Sequence, residues 1–149
     1  MAWHRTQLVA SVVLACGFVA GSVGCQEGPV PTYPTSGTVT VKNQVSVAGG
    51  RVEFRLMDNP HLVVSRGYIG KDGAFILGTF EAQDGAPAGK HRVVVYPPSP
   101  PGDHDANPRA KSVIDPKYLS YDTSGLEYEV TDNAEKNKFP LLLDPNPNK

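Results

Sequence analysis

The sequence predicts a small antiparallel β-sandwich, and three observations carry that prediction. Short runs rich in Val, Phe, Tyr and Thr recur along the chain, several of them alternating apolar and polar residues with the period of a half-buried strand. The 15 Gly and 14 Pro fall mostly between those runs, as the many turns of an all-β domain require. Beyond Cys25 no stretch shows a sustained helical period with caps at its ends. The chain that follows position 24, about 125 residues, suits one domain.

The elements justify themselves in order. His4 and Arg5 precede an apolar run over residues 8–20, which ends in the small residues Ser22-Val23-Gly24 before Cys25. A short basic start, an apolar middle and small residues before a cut make a secretory signal peptide. The apolar run is about 13 residues long, against about 20 for a bilayer-spanning helix. Residues 1–24 are therefore read as a signal peptide. Gln26 to Pro34, with Pro29, Pro31 and Pro34, reads as an extended tether. The alternative there is that part of it pairs as an edge segment. The domain then spans residues 36–144, with a loose tail over 145–149.

Val39 and Val41 share one face of the first strand, and Thr38 and Thr40 the other. Lys42-Asn43-Gln44 breaks that run, residues 45–47 resume it briefly, and Ala48-Gly49-Gly50 turns the chain. Residues 51–56 alternate most cleanly, with Val52, Phe54 and Leu56 directed to the core and Arg51, Glu53 and Arg55 to solvent. Pro60 cannot donate to a ladder, so the strand ends before it. Residues 62–69 and 74–80 flank Lys71-Asp72-Gly73, and Asp-Gly between apolar runs is a hairpin signal, so these two segments are expected to pair directly. Residues 81–87 read as a loop. Residues 92–96 are a central strand by their β-branched content. The segment PPSPPGDHDANPRAK, residues 97–111, favours polyproline II, cannot be a strand, and is expected to project from the sandwich. Leu126, Tyr128 and Val130 alternate with Glu127 and Glu129. Residues 139–143 close the sheet, with Pro140 marking an edge.

Two resemblances add to this reading. Val23-Gly24-Cys25 resembles the lipobox of bacterial lipoproteins, with Ser22 standing where that family usually has Leu. The resemblance implies cleavage before Cys25, a diacylglycerol on its sulfur and acylation of the new amino group. Cys16, behind Val13-Leu14-Ala15, is a second candidate, but cleavage there would leave an apolar stub at the start of the mature chain. A secreted chain with a free thiol at Cys25, or a retained anchor, are the remaining readings. With Cys25 at the mature terminus no second cysteine is left for an internal disulfide.

Further along, Gly37-Thr38-Val39, Gly50 with Val52 and Phe54, Asp72-Gly73-Ala74-Phe75, and Gly89 with His91, Val93 and Val95 stand in an order that looks like the carboxypeptidase regulatory-like domain. That domain is a transthyretin-like β-sandwich, common in small lipoproteins of planctomycete-type bacteria. Residues 114–118 and 124–130 look like its tail segment and last strands. Two departures are the absence of the usual Gly-Lys-Pro turn near Lys42 and the long segment at 97–111. The resemblance implies an accessory or binding module, since the peptidases that share the name keep their zinc motif in a separate domain.

Chemistry-bearing residues are sparse. Asp103-His104-Asp105 places three candidate ligands side by side, but adjacent residues in an extended loop point in alternate directions, whereas zinc ligands are normally spaced two to four apart with a distant pair. A solvated loop is the preferred reading, and no metal or other cofactor is expected. His61 and His91 are isolated, with His91 expected to face solvent or a neighbouring loop. No Gly-x-Ser-x-Gly, phosphate loop or dinucleotide fingerprint occurs. A net charge of −1 without clustered cations gives no basis for nucleic-acid binding. The expected role is non-catalytic, structural or adhesive, with the membrane engaged through acylated Cys25 and an envelope protein or polysaccharide as partner. The alternative is a binding module using Tyr118, Tyr121 and the 97–111 segment, with Tyr96 nearby, because sugars stack on exposed aromatic faces.

Overall fold

The computed structural model describes residues 30–44, 46–59, 61–98 and 112–148. The signal-peptide stretch, Cys25, Gln26 to Pro29, and Asp103-His104-Asp105 lie outside the described residues.

Among the described residues nine strands form: β1 (Thr32–Tyr33), β2 (Ser36–Val41), β3 (Arg51–Leu56), β4 (Val64–Tyr68), β5 (Ala74–Ile76), β6 (Ala86–Pro87), β7 (Gly89–Tyr96), β8 (Leu126–Val130) and β9 (Lys138–Leu143). One sheet has the order β4-β3-β7-β8 and the other β5-β2-β9, while β1 and β6 make a short ribbon. The two sheets face each other across one apolar interior, so the chain is a small all-β sandwich. Alternation drives this arrangement. Val39 and Val41 of β2 and Phe139, Leu141 and Leu143 of β9 meet Val52, Phe54, Val93 and Val95 of the opposite sheet. Phe54 sits at the centre, its ring 5.9 Å from Phe139, 6.1 Å from Phe75 and 6.0 Å from Tyr128. Burying such a side chain contributes roughly 1.5–3 kcal/mol. As its β-branched run requires, β7 lies in the interior of its sheet, between β3 and β8.

Several expectations are corrected. The first concerns the hairpin. Its two arms share one register, bonded at one end from Gly70 N–H to Ala74 O and at the other by reciprocal 2.8 Å bonds between Arg66 and Gly78. The middle pair, Tyr68 and Ile76, is not joined. The reason is that β4 completes its pairing with β3 and β5 with β2, strands of different sheets, so the hairpin splays as it crosses from one sheet to the other. Gly67 permits the crossing, because a Cβ there would lie 2.6 Å from the Ile76 carbonyl oxygen.

The second correction is that β9 runs parallel to β2, from Ser36 opposite Lys138 to Val41 opposite Leu143. The chain reaches β9 through a short 3-10 turn (Ala134–Lys136), and Asn137 accepts the Ser36 N–H at 3.0 Å, so β9 starts where β2 starts. Pro140 sits on this edge strand, where its missing N–H costs no ladder bond. The third is the tether. Its last residues, Thr32 and Tyr33, pair with Pro87 and Ala86 of the segment read as a loop. The fourth is the tail, where Asn146 is buried and bonds Ser112 and Val113.

Candidate functional site

Two tyrosines were the sequence's candidates for ligand contact, and the fold assigns both to structural bonds. Tyr118 lies in a 3-10 helix (Pro116–Leu119) that starts at an Asp115 cap with Pro116 in the first turn. Its ring is buried, and its hydroxyl donates to Asp144 Oδ2 at 3.0 Å. Lys117 Nζ at 2.8 Å and Lys42 Nζ at 2.6 Å also reach the Asp144 carboxylate. The Lys117 bond foremost, then those from Lys42 and Tyr118, hold Asp144 far below the usual carboxylate range and raise Lys117 in turn. This cluster ties the 112–120 segment to the end of β9.

Tyr121 lies over the outer face of the four-stranded sheet. Its hydroxyl donates to Glu53 Oε2 at 3.0 Å, and Arg55 stacks 4.0 Å from the ring centre. Burial first, then the Glu53 charge, raises its phenol well above the ordinary value. Glu53 is therefore not the solvated residue that alternation alone implies. It is buried, with Arg51 Nε at 2.9 Å and Arg66 Nε at 3.1 Å from its Oε1. The correction has a simple cause: the stretch before β8 lays Tyr121 over this sheet face, on Glu53 and Arg55. Tyr96 is half-buried in the same cluster, with the Arg51 guanidinium 5.0 Å from its ring. Two coplanar, solvent-facing tyrosines are thus not what the fold presents at Tyr118 and Tyr121.

A third carboxylate is also saturated. Asp84 accepts the backbone N–H groups of Thr79, Phe80 and Glu81 at 2.6, 3.1 and 3.1 Å. Burial would raise its pKa, but these donors outweigh burial and lower it. Their effect is to fix the turn that follows β5. His91, expected near solvent, is fully buried instead, with Nδ1 3.0 Å from the Gly89 carbonyl and Nε2 without a hydrogen-bond partner. Burial lowers its pKa below the ordinary value, the Gly89 bond opposing in part. It packs 6.0 Å from Phe54 and acts as a core residue. Among the described residues no group of three His, Cys, Asp or Glu side chains is placed to hold a metal ion.

The surface that the sequence reading missed lies over the splayed hairpin. An open groove of about 580 Å³ runs there, bordered by Arg66, Tyr68, Ile76, Thr79 and Phe80. Its floor is low because Gly70, Ala74 and Gly78 carry little or no side chain. Tyr68 is 80% exposed, Phe80 55% and Ile76 49%. At the other edge the two sheets are tied together, the Tyr128 hydroxyl of β8 donating to the Pro140 carbonyl of β9 at 3.2 Å. A signal for the groove did exist: Tyr68 and Ile76 occupy the positions of their strands that alternate away from the core, where polar residues are usual.

No protein-family model matches this chain, and neither the curated proteins nor the solved structures include a detectable match.

Proposed function

We propose that this chain is a non-catalytic, lipid-anchored β-sandwich of the cell envelope, with a structural or adhesive role, of the carboxypeptidase regulatory-like type that its motif order resembles. One observation carries the contact role: the splayed hairpin leaves the exposed side chains of Tyr68, Ile76 and Phe80 around one open groove. Exposed aromatic and aliphatic side chains gathered on a rigid frame are characteristic of interaction surfaces. The acids support the non-catalytic reading. Glu53, Asp84 and Asp144 are each held by several fixed donors, whereas a general base needs an accessible lone pair near its substrate. The lipid anchor rests on the Val23-Gly24-Cys25 stretch.

A second reading, polysaccharide binding, is favoured by the exposure of the Tyr68 ring on the same groove as Gln83, whose exposed side-chain amide offers hydrogen bonds to hydroxyls. The test is capture of envelope partners by the wild-type protein against Tyr68→Ala and Ile76→Ser. Both variants should keep the wild-type melting temperature and lose the captured partner. Undiminished capture by both would place the contact elsewhere. Release of the partner by soluble envelope glycan would select the second reading.

A further inference from the structure

The N-terminal segment meets the domain at one end of the sandwich. Thr32 pairs with Pro87, two residues before β7 begins at Gly89. That same end holds the start of β7 and the finish of β3, where Met57 N–H bonds the Lys90 carbonyl at 2.8 Å. Two loops project there. One joins β3 to β4 and carries Leu62. The other follows β5, is held by Asp84, and carries Phe80. Leu62 is 70% exposed, and it has a φ of +49°, a conformation that non-glycine residues adopt rarely and that concentrates at functional segments. Of the five large apolar side chains that are exposed among the described residues, these two lie on loops at the end where the chain joins the domain, with Ile76 on the strand opposite Ser36 beside them. Leu142, exposed on β9, lies toward the other end, where β2 finishes.

The length of the connecting chain decides what these residues can reach. Because Thr32 is fixed by pairing, only six residues separate it from Cys25, seven Cα-to-Cα steps that span about 25 Å at full extension. A domain of this size, with a radius of gyration near 13 Å, is about 35 Å across. A lipid at Cys25 would therefore keep this end, and not the far one, close to the bilayer. Apolar and aromatic side chains at such a position partition into the interfacial region of a membrane.

We infer that Leu62 and Phe80 are the membrane-facing tips of this domain, docking it end-on against the bilayer to which Cys25 anchors it. The inference rests on the lipidation reading above. The charges at this end are mixed: Asp58, Glu81, Asp84, Asp132 and Glu135 stand with Lys90, Lys136 and Lys138, the last paired to Glu135 at 2.7 Å, and form no basic cluster. The surface recognised is accordingly zwitterionic lipid, through apolar contact, and not an anionic headgroup.

The acylated full-length product, reconstituted in phosphatidylcholine–phosphatidylethanolamine vesicles, allows a direct test. The chain's one tryptophan, Trp3, belongs to the stretch read as signal peptide, so a tryptophan placed in the domain reports alone. Leu62→Trp, Phe80→Trp and Leu142→Trp are compared for quenching by brominated acyl chains, with the mass at Cys25 measured on each preparation. Quenching at positions 62 and 80, severalfold stronger than at 142 and unchanged at high salt, is the expected result. Acyl mass on Cys25 with no quenching at 62 and 80, or with equal quenching at all three positions, overturns the docking and leaves the anchor standing. An unacylated Cys25 overturns both. Loss of quenching at high salt would mean that headgroup charge holds the domain, which also overturns the apolar mode.

Discussion

The Tyr121 hydroxyl donates to Glu53 Oε2 over 3.0 Å while the Arg55 guanidinium covers the ring at 4.0 Å. One side chain thereby satisfies a buried carboxylate and is itself capped by a cation from the same strand as that carboxylate. Tyr121 belongs to the architecture of the sheet face it covers. Tyr121→Phe keeps the ring and removes only the donor, so it should cost about 1.5 kcal/mol, the scale of a hydrogen bond to a charged group. Urea unfolding followed by circular dichroism measures this. An unchanged midpoint would mean that solvent already satisfies Glu53.

Phe54 and Arg55 give a sharp contrast between neighbours. Phe54 contacts rings from both sheets, so Phe54→Ala should destabilise by about 3–5 kcal/mol. Arg55 stacks on Tyr121 at the sheet surface, and Arg55→Ala should cost about 0.5–1 kcal/mol. Equal losses in the two variants would contradict the register of β3.

Stability should depend on pH through His91. Its folded-state pKa lies below the ordinary 6.5 because burial penalises the cation. In the unfolded chain it protonates near 6.5, so below that pH the unfolded state takes up a proton that the folded state refuses. Stability should therefore be flat in this group above pH 6.5 and fall as pH drops from there toward the folded-state value. His91→Phe should flatten that slope in thermal melts between pH 7 and 5. A wild-type stability that rose on acidification through this window would reverse the assignment.

Gly37 is the tightest glycine of the small sheet. A Cβ there would lie 2.1 Å from the Phe139 carbonyl oxygen and 2.5 Å from the Phe75 ring, so strand backbone has to move. Gly37→Ala should cost about 3 kcal/mol, at the upper end of overpacking effects. Gly125→Ala, with open space around it but a φ of +65°, should cost about 1 kcal/mol. Differential scanning calorimetry of the pair separates steric from conformational cost. A Gly37→Ala protein melting no lower than Gly125→Ala would disprove the close packing of β2 on β9.

What the sequence determined by itself is everything that depends on period and on turn chemistry. The alternation in residues 51–56 put Val52 and Phe54 inside, Val93 and Val95 marked a central strand, and Pro140 marked an edge, because each of these is a property of a few consecutive residues. The Asp72-Gly73 turn between two strand segments was equally legible. Tertiary structure alone decided which strands those arms would finally pair with, and so opened the groove lined by Tyr68 and Phe80. It also decided the fate of the polar residues. Alternation says that Glu53 leaves the core, but not that a later segment brings Tyr121 over it. Spacing shows Tyr118 beside a proline, but not that Asp144, far along the chain, waits for its hydroxyl. His91 looked like an isolated polar residue and is packed beside Phe54. The physical reason is common to all of them. A strand's facing follows from local geometry, whereas burial and hydrogen-bond partnership depend on what the rest of the chain brings near, and that is set only when the two sheets close on each other.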